Sequence, residues 1–386
     1  MRHFCLLALA LIPLLLIDPT RCQSEPECKC ILNNLYLDVY IVIDDSAQMG
    51  SAGLTEVAAN INSVFGFSQI RVGDQYADSR GVRTAVITYN SHSRIRSNLS
   101  DFQSADDLTK MVYSLEPSKD YTSNLAEPLE YVQVMMRYTD RNAPRSNTRT
   151  VVLIYAADYM DFDQPTIRDI GEGLKSKGVV IITVADITRN DNNQIGKLAG
   201  LASPNDHFNI NDDYVSEEVQ QAFCRANCFC PQSYYQFGVQ SNSTTHQYGS
   251  CVQYVMEPKS WLNAKFACQN LRQNGYLATE FSAEKHAFNK NLFQSLSTNS
   301  NPSQYHVGLH FVNNGYFWEQ PAGLPLIPLV QSLYPLDPRP KSNAQCVSNS
   351  ENMTTTEEYW DNVDCLNESR PYLCEVAACD TENLCS

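Results

Sequence analysis

Asp38-Val39-Tyr40-Ile41-Val42-Ile43-Asp44-Asp45-Ser46-Ala47-Gln48-Met49 is the stretch that decides the fold. Its first six residues are mostly apolar and β-branched, without the alternation of a half-exposed strand. Such a run suits a central parallel strand covered on both faces. Similar runs occur at Thr84–Thr88, Thr150–Ala156 and Val179–Val184. Between them apolar residues fall at helical spacing: Leu54, Val57, Ala58, Ile61, Val64 and Phe65, then Leu125, Leu129, Val132, Met135 and Met136, then Ile167, Ile170 and Leu174. Lys175-Ser176-Lys177-Gly178 closes the last helix with basic residues and a glycine. Strand–helix alternation predicts a doubly wound α/β domain with its binding chemistry at strand C-termini.

Asp44 and Ser46 stand two apart where the chain leaves the sheet, so both oxygens can face one hard cation. The plainer reading is that they cap the following loop or helix. Thr122-Ser123-Asn124, before a helix, and Asp158, after a strand, supply oxygens at matching places. At these residues the segment 35–224 resembles the von Willebrand factor A domain, as it does at the helix-to-strand step Lys177-Gly178-Val179-Val180. That family's metal-ion-dependent adhesion site is an Asp-x-Ser-x-Ser motif plus a distant Thr and Asp. Asp44 and Ser46 match its first two positions, and Gln48 replaces the second serine. Ser123 stands at the Thr position, with Thr122 one residue away, and Asp158 matches the last. The cofactor so implied is Mg²⁺ or Ca²⁺. Gln48 either crowds the cage or coordinates through its amide oxygen. A working adhesion site and a metal-free domain used for protein contacts both stay open.

Cysteines divide the chain: none lies between Ile31 and Phe223, while the stretch Cys224 to Cys385 is dense in them. This places a domain boundary near Cys224–Cys230, with a Cys-containing segment at 25–34, a linker at 225–229 and a Cys-containing tail at 376–386. The second half is rich in aromatics and prolines. One helix carries Trp261, Ala264, Cys268 and Leu271 on a single face, a second runs from Ala283 to Leu296, and the rest reads as short strands and long loops.

From Cys230 to Glu375 the chain resembles the C-type lectin-like domain, an α+β fold. Cys230-Pro231 with Tyr234, Tyr235 and Phe237, then Cys251, is similar to the family's N-terminal hairpin. Ser260-Trp261-Leu262-Asn263-Ala264-Lys265-Phe266-Ala267-Cys268 matches its Ser-Trp-x-x-Ala-x-x-x-Cys helix, and Leu277-Ala278 followed by Glu284 is as expected. His306-Val307-Gly308-Leu309 stands where the family usually has Trp-Ile-Gly-Leu, and Cys346, Trp360 to Cys365 and Tyr372-Leu373-Cys374-Glu375 complete the pattern. The resemblance implies bridges Cys268–Cys374 and Cys346–Cys365, with Cys230–Cys251 as the extra one. Cys28, Cys30, Cys224 and Cys228 flank the first domain, and Cys379 and Cys385 could pair locally, but spacing does not settle that connectivity.

Sugar binding in this family usually needs a calcium ion held by several carboxylate and amide oxygens. The usual Glu-Pro-Asn loop is Asp337-Pro338-Arg339 here, and Arg339 has no acceptor. An acidic position is Ala344, and Trp-Asn-Asp has become Trp360-Asp361-Asn362. Asp337, Asp361 and Asn362 are the oxygen ligands left. The apolar, proline-rich segment Gln320–Pro340 is expected to pack largely over the domain.

Residues 1–24 read as a secretory signal: Arg2 and His3, an apolar run Cys5–Ile17 broken only by Pro13, and a cleavage site at Cys22-Gln23-Ser24. Of 14 cysteines, two lie in that signal, leaving an even number for a disulfide framework. Sequons at Asn98, Asn242, Asn352 and Asn367 agree with export. The product is expected to be secreted and extracellular, without a membrane span. A formal charge of −15 with no basic cluster disfavours nucleic acid. Gly-x-Ser-x-Gly, His-Glu-x-x-His and phosphate-loop motifs are missing from the sequence, and the histidines are scattered, so no enzyme is expected. The leading reading is a secreted glycoprotein binding glycans or glycoconjugates through the lectin-like domain, in a setting that resembles invertebrate innate defence. The alternative is an adhesion or matrix-type protein that binds another protein through the A-like domain or the lectin-like surface.

Overall fold

The computed structural model describes residues 24–75, 80–142, 144–157, 164–186, 192–241, 244–297, 304–330, 332–352, 354–355 and 357–385. After a single 3-10 turn at Leu32–Asn34, strands and helices follow in the order β1 (Leu37–Asp44), α1 (Gly50–Ile61), β2 (Val82–Tyr89), β3 (Ser93–Ser97), α2 (Ala105–Tyr113), α3 (Ala126–Asn142), β4 (Arg149–Ala156), α4 (Gln164–Lys175), β5 (Val180–Ala185), α5 (Asn192–Leu201), β6 (His207–Asn209) and α6 (Val215–Ala226). The strands form one six-stranded sheet in the order β3-β2-β1-β4-β5-β6. All pairings are parallel except that of β3 with β2.

Every residue of β1 and β2 is buried, as the unbroken apolar runs predicted. Two apolar clusters lie on the two faces of the sheet. One joins Val39, Ile41 and Ile43 to Leu54, Val57 and Ile61 of α1 and to Val219 and Phe223 of α6. The other joins Tyr40 and Val42 to Leu125, Leu129 and Val132 at α3 and to Leu174 of α4. Strand order reverses at β1, whose neighbours β2 and β4 lead outward in opposite directions, so the C-terminal end of β1 lies at the crevice where such folds bind ligands. The short edge strands β3 and β6 were not evident from the sequence: Ser93-Arg94-Ile95-Arg96-Ser97 is largely exposed and lacks an apolar run.

The second half contains β7 (Tyr235–Ser241), β8 (Thr244–Ser260), α7 (Trp261–Leu271), β9 (Tyr276–Leu277), α8 (Ala283–Leu296), β10 (Gln304–Val312), β11 (Gly315–Trp318), β12 (Ile327–Pro328), β13 (Cys346–Glu351), β14 (Glu358–Val363) and β15 (Ser369–Ala377). They form a nine-stranded sheet along the path β12-β11-β10-β15-β8-β7, with β13 on β10, β14 on β13 and β9 on β15. Trp261, Ala264 and Cys268 are buried on the inner face of α7 as expected, but Leu271 is 51% exposed. It is the last residue of the helix, where the chain turns away from the core. Of the proline-rich segment, Ile327, Leu329, Leu333, Tyr334 and Leu336 pack on the core, while Leu324 and Val330 face solvent.

The motif glycine Gly308 shows why the sheet tolerates no side chain there. A Cβ would sit 2.5 Å from the Leu277 carbonyl oxygen, and the Gly308 amide donates to Ala278 at 2.8 Å. Gly308→Ala should therefore lower stability by about 1–3 kcal/mol through overpacking. A lowered urea midpoint, followed by tryptophan fluorescence, would register it; an unchanged midpoint would show that β9 yields freely.

Six disulfides pair all twelve cysteines of the described residues: Cys28–Cys228, Cys30–Cys224, Cys230–Cys251, Cys268–Cys374, Cys346–Cys365 and Cys379–Cys385. The first two join the segment before β1 to the end of α6, closing the α/β unit at its termini. That same segment reaches the second half. Lys285, fully buried, lies 3.2 Å from Glu375 and 3.9 Å from Glu25, and Ser282 donates to Glu25 at 3.0 Å. Burial pushes the Glu25 carboxyl up to about 7. The tail returns the contact: the Lys29 amide donates to Asp380, and Arg80 donates to the Thr381 carbonyl at 2.7 Å.

Candidate functional site

Asp44 is the last residue of β1 and is fully buried. The Ser46 amide donates to its Oδ1 at 2.8 Å, and the Ser123 hydroxyl, just ahead of α3, donates to its Oδ2 at 3.0 Å. Ser46 and Ser123 are both fully buried. The Ser46 hydroxyl oxygen has no hydrogen-bond partner. A buried hydroxyl left unpaired costs free energy unless something else satisfies it. Gln48, in contrast, is exposed and turns outward, its side-chain amide 3.4 Å from the Tyr121 carbonyl. Of the two candidates for the threonine position, Ser123 faces Asp44, whereas the Thr122 amide donates to Asp120. Asp158 lies outside the described residues.

Three acids around this point carried no role in the sequence reading. Asp45 is buried and spent on structure: Asn90 donates to its Oδ1 at 2.8 Å, and Arg96 lies 3.3 Å from its Oδ2. Asp120 sits beside the loop after β1, its carbonyl accepting from the Ala47 amide at 2.7 Å. A hydrogen bond from Ser91, then those from Thr122, hold its carboxyl below the ordinary range. Asp186 directly follows β5, and Asp44 ends β1, so the same strand-end signal could have found it. It is 4% exposed, with Oδ1 unpartnered, and burial followed by the charge of Glu56 pushes its carboxyl up to about 6.

The Asp44 carboxylate and the Ser123 hydroxyl meet at a buried point at a strand C-terminus, and Ser46, held to Asp44 through its amide, keeps a buried hydroxyl oxygen with no hydrogen-bond partner. An all-oxygen set of this size suits a small divalent ion that keeps several waters. Gln48 is not directed into the set.

In the second half the three oxygen candidates are not equivalent. Asp361 and Asn362 are consecutive on β14, so their side chains leave opposite faces of the strand. Asp361 lies 3.0 Å from Arg370. Asn362 faces the Tyr316 hydroxyl, which is 2.6 Å from both Asn362 Oδ1 and the Asp337 carbonyl oxygen. Asp337 itself is exposed, and its carboxylate accepts from the Arg339 amide at 2.9 Å. The three oxygens are thus divided among separate partners. Among the described residues no three or more His, Cys, Asp or Glu side chains come together as a cage that could hold a metal ion.

Behind β14 lies a buried polar cluster that the sequence did not reveal. Glu280, 1% exposed, accepts from Asn289, Tyr305 and Trp360 and lies 2.7 Å from His286 Nδ1. His286 Nε2 is 3.1 Å from Glu358, which also pairs with Lys290. Tyr334 of the proline-rich segment covers the imidazole, ring centroids 4.2 Å apart. By contrast His306, in the place of the family's tryptophan, is held neutral. Burial, then Arg370, lowers its pKa to about 4, and its Nε2 faces two backbone carbonyls.

Of the sequon asparagines, Asn98, Asn352 and Asn367 are exposed, and Asn242 lies outside the described residues.

Fold and site together define an α/β recognition domain with a strand-end oxygen site, followed by a disulfide-braced lectin-like domain. The pattern described as von Willebrand factor type A domain matches residues 38–222, and that described as Lectin C-type domain matches residues 257–376. The chain therefore carries an N-terminal von Willebrand factor A domain followed by a C-type lectin-like domain. Both are non-catalytic adhesion and recognition modules.

Among its relatives is C-type lectin domain-containing protein 160 of Caenorhabditis elegans, 26% identical over 370 residues. The match covers 93% of this chain and 56% of that protein, so the chain spans little more than half of its relative's length. Among solved structures, proximal thread matrix protein 1 from the mussel byssus, with a zinc-occupied MIDAS motif, is 17% identical. It covers 50% of this chain and 48% of its own, with a TM-score of 0.39. Human lithostathine is 21% identical over 38% of this chain and 90% of its own, with a TM-score of 0.29. Among the described residues no helix is long and apolar enough to cross a membrane.

Proposed function

We propose that the protein is a secreted adhesion or matrix-type protein whose A domain binds a protein ligand through a divalent cation held by Asp44, Ser46 and Ser123. The observation that carries this reading is the unpaired Ser46 hydroxyl buried beside Asp44 at the crevice end of β1. A cation there would present an open coordination position, the ordinary partner of which is an acidic side chain of another protein. The lectin-like domain serves as a calcium-independent contact surface in this reading. Division of Asp337, Asp361 and Asn362 among Arg339, Arg370 and Tyr316 supports it over the sugar-binding reading that the family resemblance put first.

Calorimetric titration of the purified full-length protein with Mg²⁺ and Ca²⁺ tests the proposal. Saturable binding is expected in the parent protein and in Asp361→Ala, and its loss in Asp44→Ala. Loss in Asp361→Ala alone would restore a calcium-dependent lectin. No binding at millimolar metal would leave the A domain as a metal-free contact surface.

A further inference from the structure

We propose that Asn98 carries an N-linked glycan whose first sugars lie in the apolar groove between the β3–α2 turn and α3, covering Val134 and Tyr138. The inference rests on the export reading above. The groove, about 300 Å³, is lined by Asn98, Leu99 and Ser100 on one side and by Val134, Met135 and Tyr138 on the other. Val134 and Tyr138 are 59% and 69% exposed, on the same face of the helix four residues apart. Together they form a small exposed apolar patch facing the Asn98 turn across the groove.

The acceptor is built into the lining, which is why the occupant is this chain's own glycan rather than a second protein. Asn98-Leu99-Ser100 is a sequon in a tight turn: the Asp101 amide donates to the Asn98 carbonyl at 3.2 Å, and the Asn98 amide donates to Asp101 Oδ2 at 2.8 Å. Leu99 is buried as the anchor of the turn, so Asn98 and Ser100 on either side of it are held outward. In the transfer, Asn98 Nδ2 bonds the anomeric carbon of a lipid-diphosphate-linked oligosaccharide. The carbon–oxygen bond to the diphosphate breaks, lipid diphosphate leaves, and one amide proton passes to an enzyme base. The remaining N–H can keep its contact with Asp101 Oδ2, 3.4 Å away. The apolar face of the attached sugar can then lie on the Tyr138 ring, which presents an apolar body and a polar tip. A bulky polar glycan over this patch turns an apolar groove into solvated surface.

The full chain, made in a secreting eukaryotic cell, is digested for glycopeptide mass spectrometry and footprinted by hydroxyl radicals with glycans intact or enzymatically removed. Asn98 is expected to be occupied. Tyr138 oxidation should rise severalfold on deglycosylation and in both Asn98→Gln and Ser100→Ala, with Tyr113 of α2 unchanged as the control. Occupied Asn352 or Asn367 with a bare Asn98 overturns the proposal alone. An occupied Asn98 with unchanged Tyr138 labelling overturns the groove contact, and glycan at no sequon overturns the export reading with it.

Discussion

Removing Cys28–Cys228 or Cys30–Cys224 alone should cost about 2–3 kcal/mol, whereas removing both should cost on the order of 8 kcal/mol. The reason is nesting. The two bridges span 200 and 194 residues of sequence, but they lie side by side. With either one intact, the long loop is already closed, and the other adds only a small ring of roughly eight residues to the unfolded chain. With both gone, the closure entropy of the whole domain is released as well, about 5 kcal/mol more. That total lies within the usual net stability of a domain, so the double-bridge variant should be largely unfolded at 37 °C. Alanine pairs at the two bridges, alone and combined, form a double-mutant cycle with a coupling of about 3 kcal/mol. Trp261, Trp318 and Trp360 are the chain's three tryptophans and all lie in the lectin-like domain. Their fluorescence follows that domain, while hydrogen exchange at β1, β4 and β5 follows the A domain. Simple additivity would show that the bridges constrain separate parts of the unfolded chain.

Glu280→Ala should destabilise the lectin-like domain by about 3–5 kcal/mol, because it strands a buried histidine charge. The lost carboxylate is the acceptor for Asn289, Tyr305 and Trp360 and the close partner of His286. Burial alone would lower the His286 pKa, but Glu280 and then Glu358 outweigh it, and it stands above the ordinary histidine value of about 6.5. Burial alone would raise Glu280, but the His286 charge and hydrogen bonds outweigh it, and it stands below 4.5. Glu358 is lowered in the same way, burial being outweighed by Lys290 and His286. A raised histidine contributes in full below about 6.5 and loses its contribution as pH rises through the folded value. The depressed carboxylates contribute in full above about 4.5 and lose it as pH falls through theirs. The cluster therefore stabilises most between these limits. The charged and titratable groups that face His286 are Glu280 ahead of α8, Lys290 on α8, Glu358 on β14 and Tyr334 of the proline-rich segment. Glu280→Gln keeps the shape and removes the charge. Its deficit against the parent should be larger at pH 5.5 than at pH 8.5 in urea unfolding, and an equal deficit at both would show that His286 is neutral throughout.

Much of the A domain was legible because its signals are local. Continuous apolar runs marked the buried parallel strands β1, β2, β4 and β5, and helical spacing marked the inner faces of α1, α3 and α4. The edge strands β3 and β6 escaped, since an edge strand is defined by its neighbour and carries no apolar run of its own. In the lectin-like domain the ordered motifs pointed to the sheet and α7, but Leu271 left the core because the helix ends there.

At the sites, the sequence by itself determined which residue types stood where: Asp44 and Ser46 at the end of β1, and Asp361 and Asn362 within β14. Their oxygen count and their order were readable from spacing alone. Only the tertiary structure decided which oxygens share a point in space. It turned Ser123 rather than Thr122 toward Asp44, and Gln48 away from it. It split Asp361 from Asn362, because consecutive residues of a strand leave opposite faces. It also assembled Glu280, His286 and Glu358 from elements up to 78 residues apart into one buried cluster. Such convergence has no local pattern, since the free energy that holds it arises only when packing removes those groups from water.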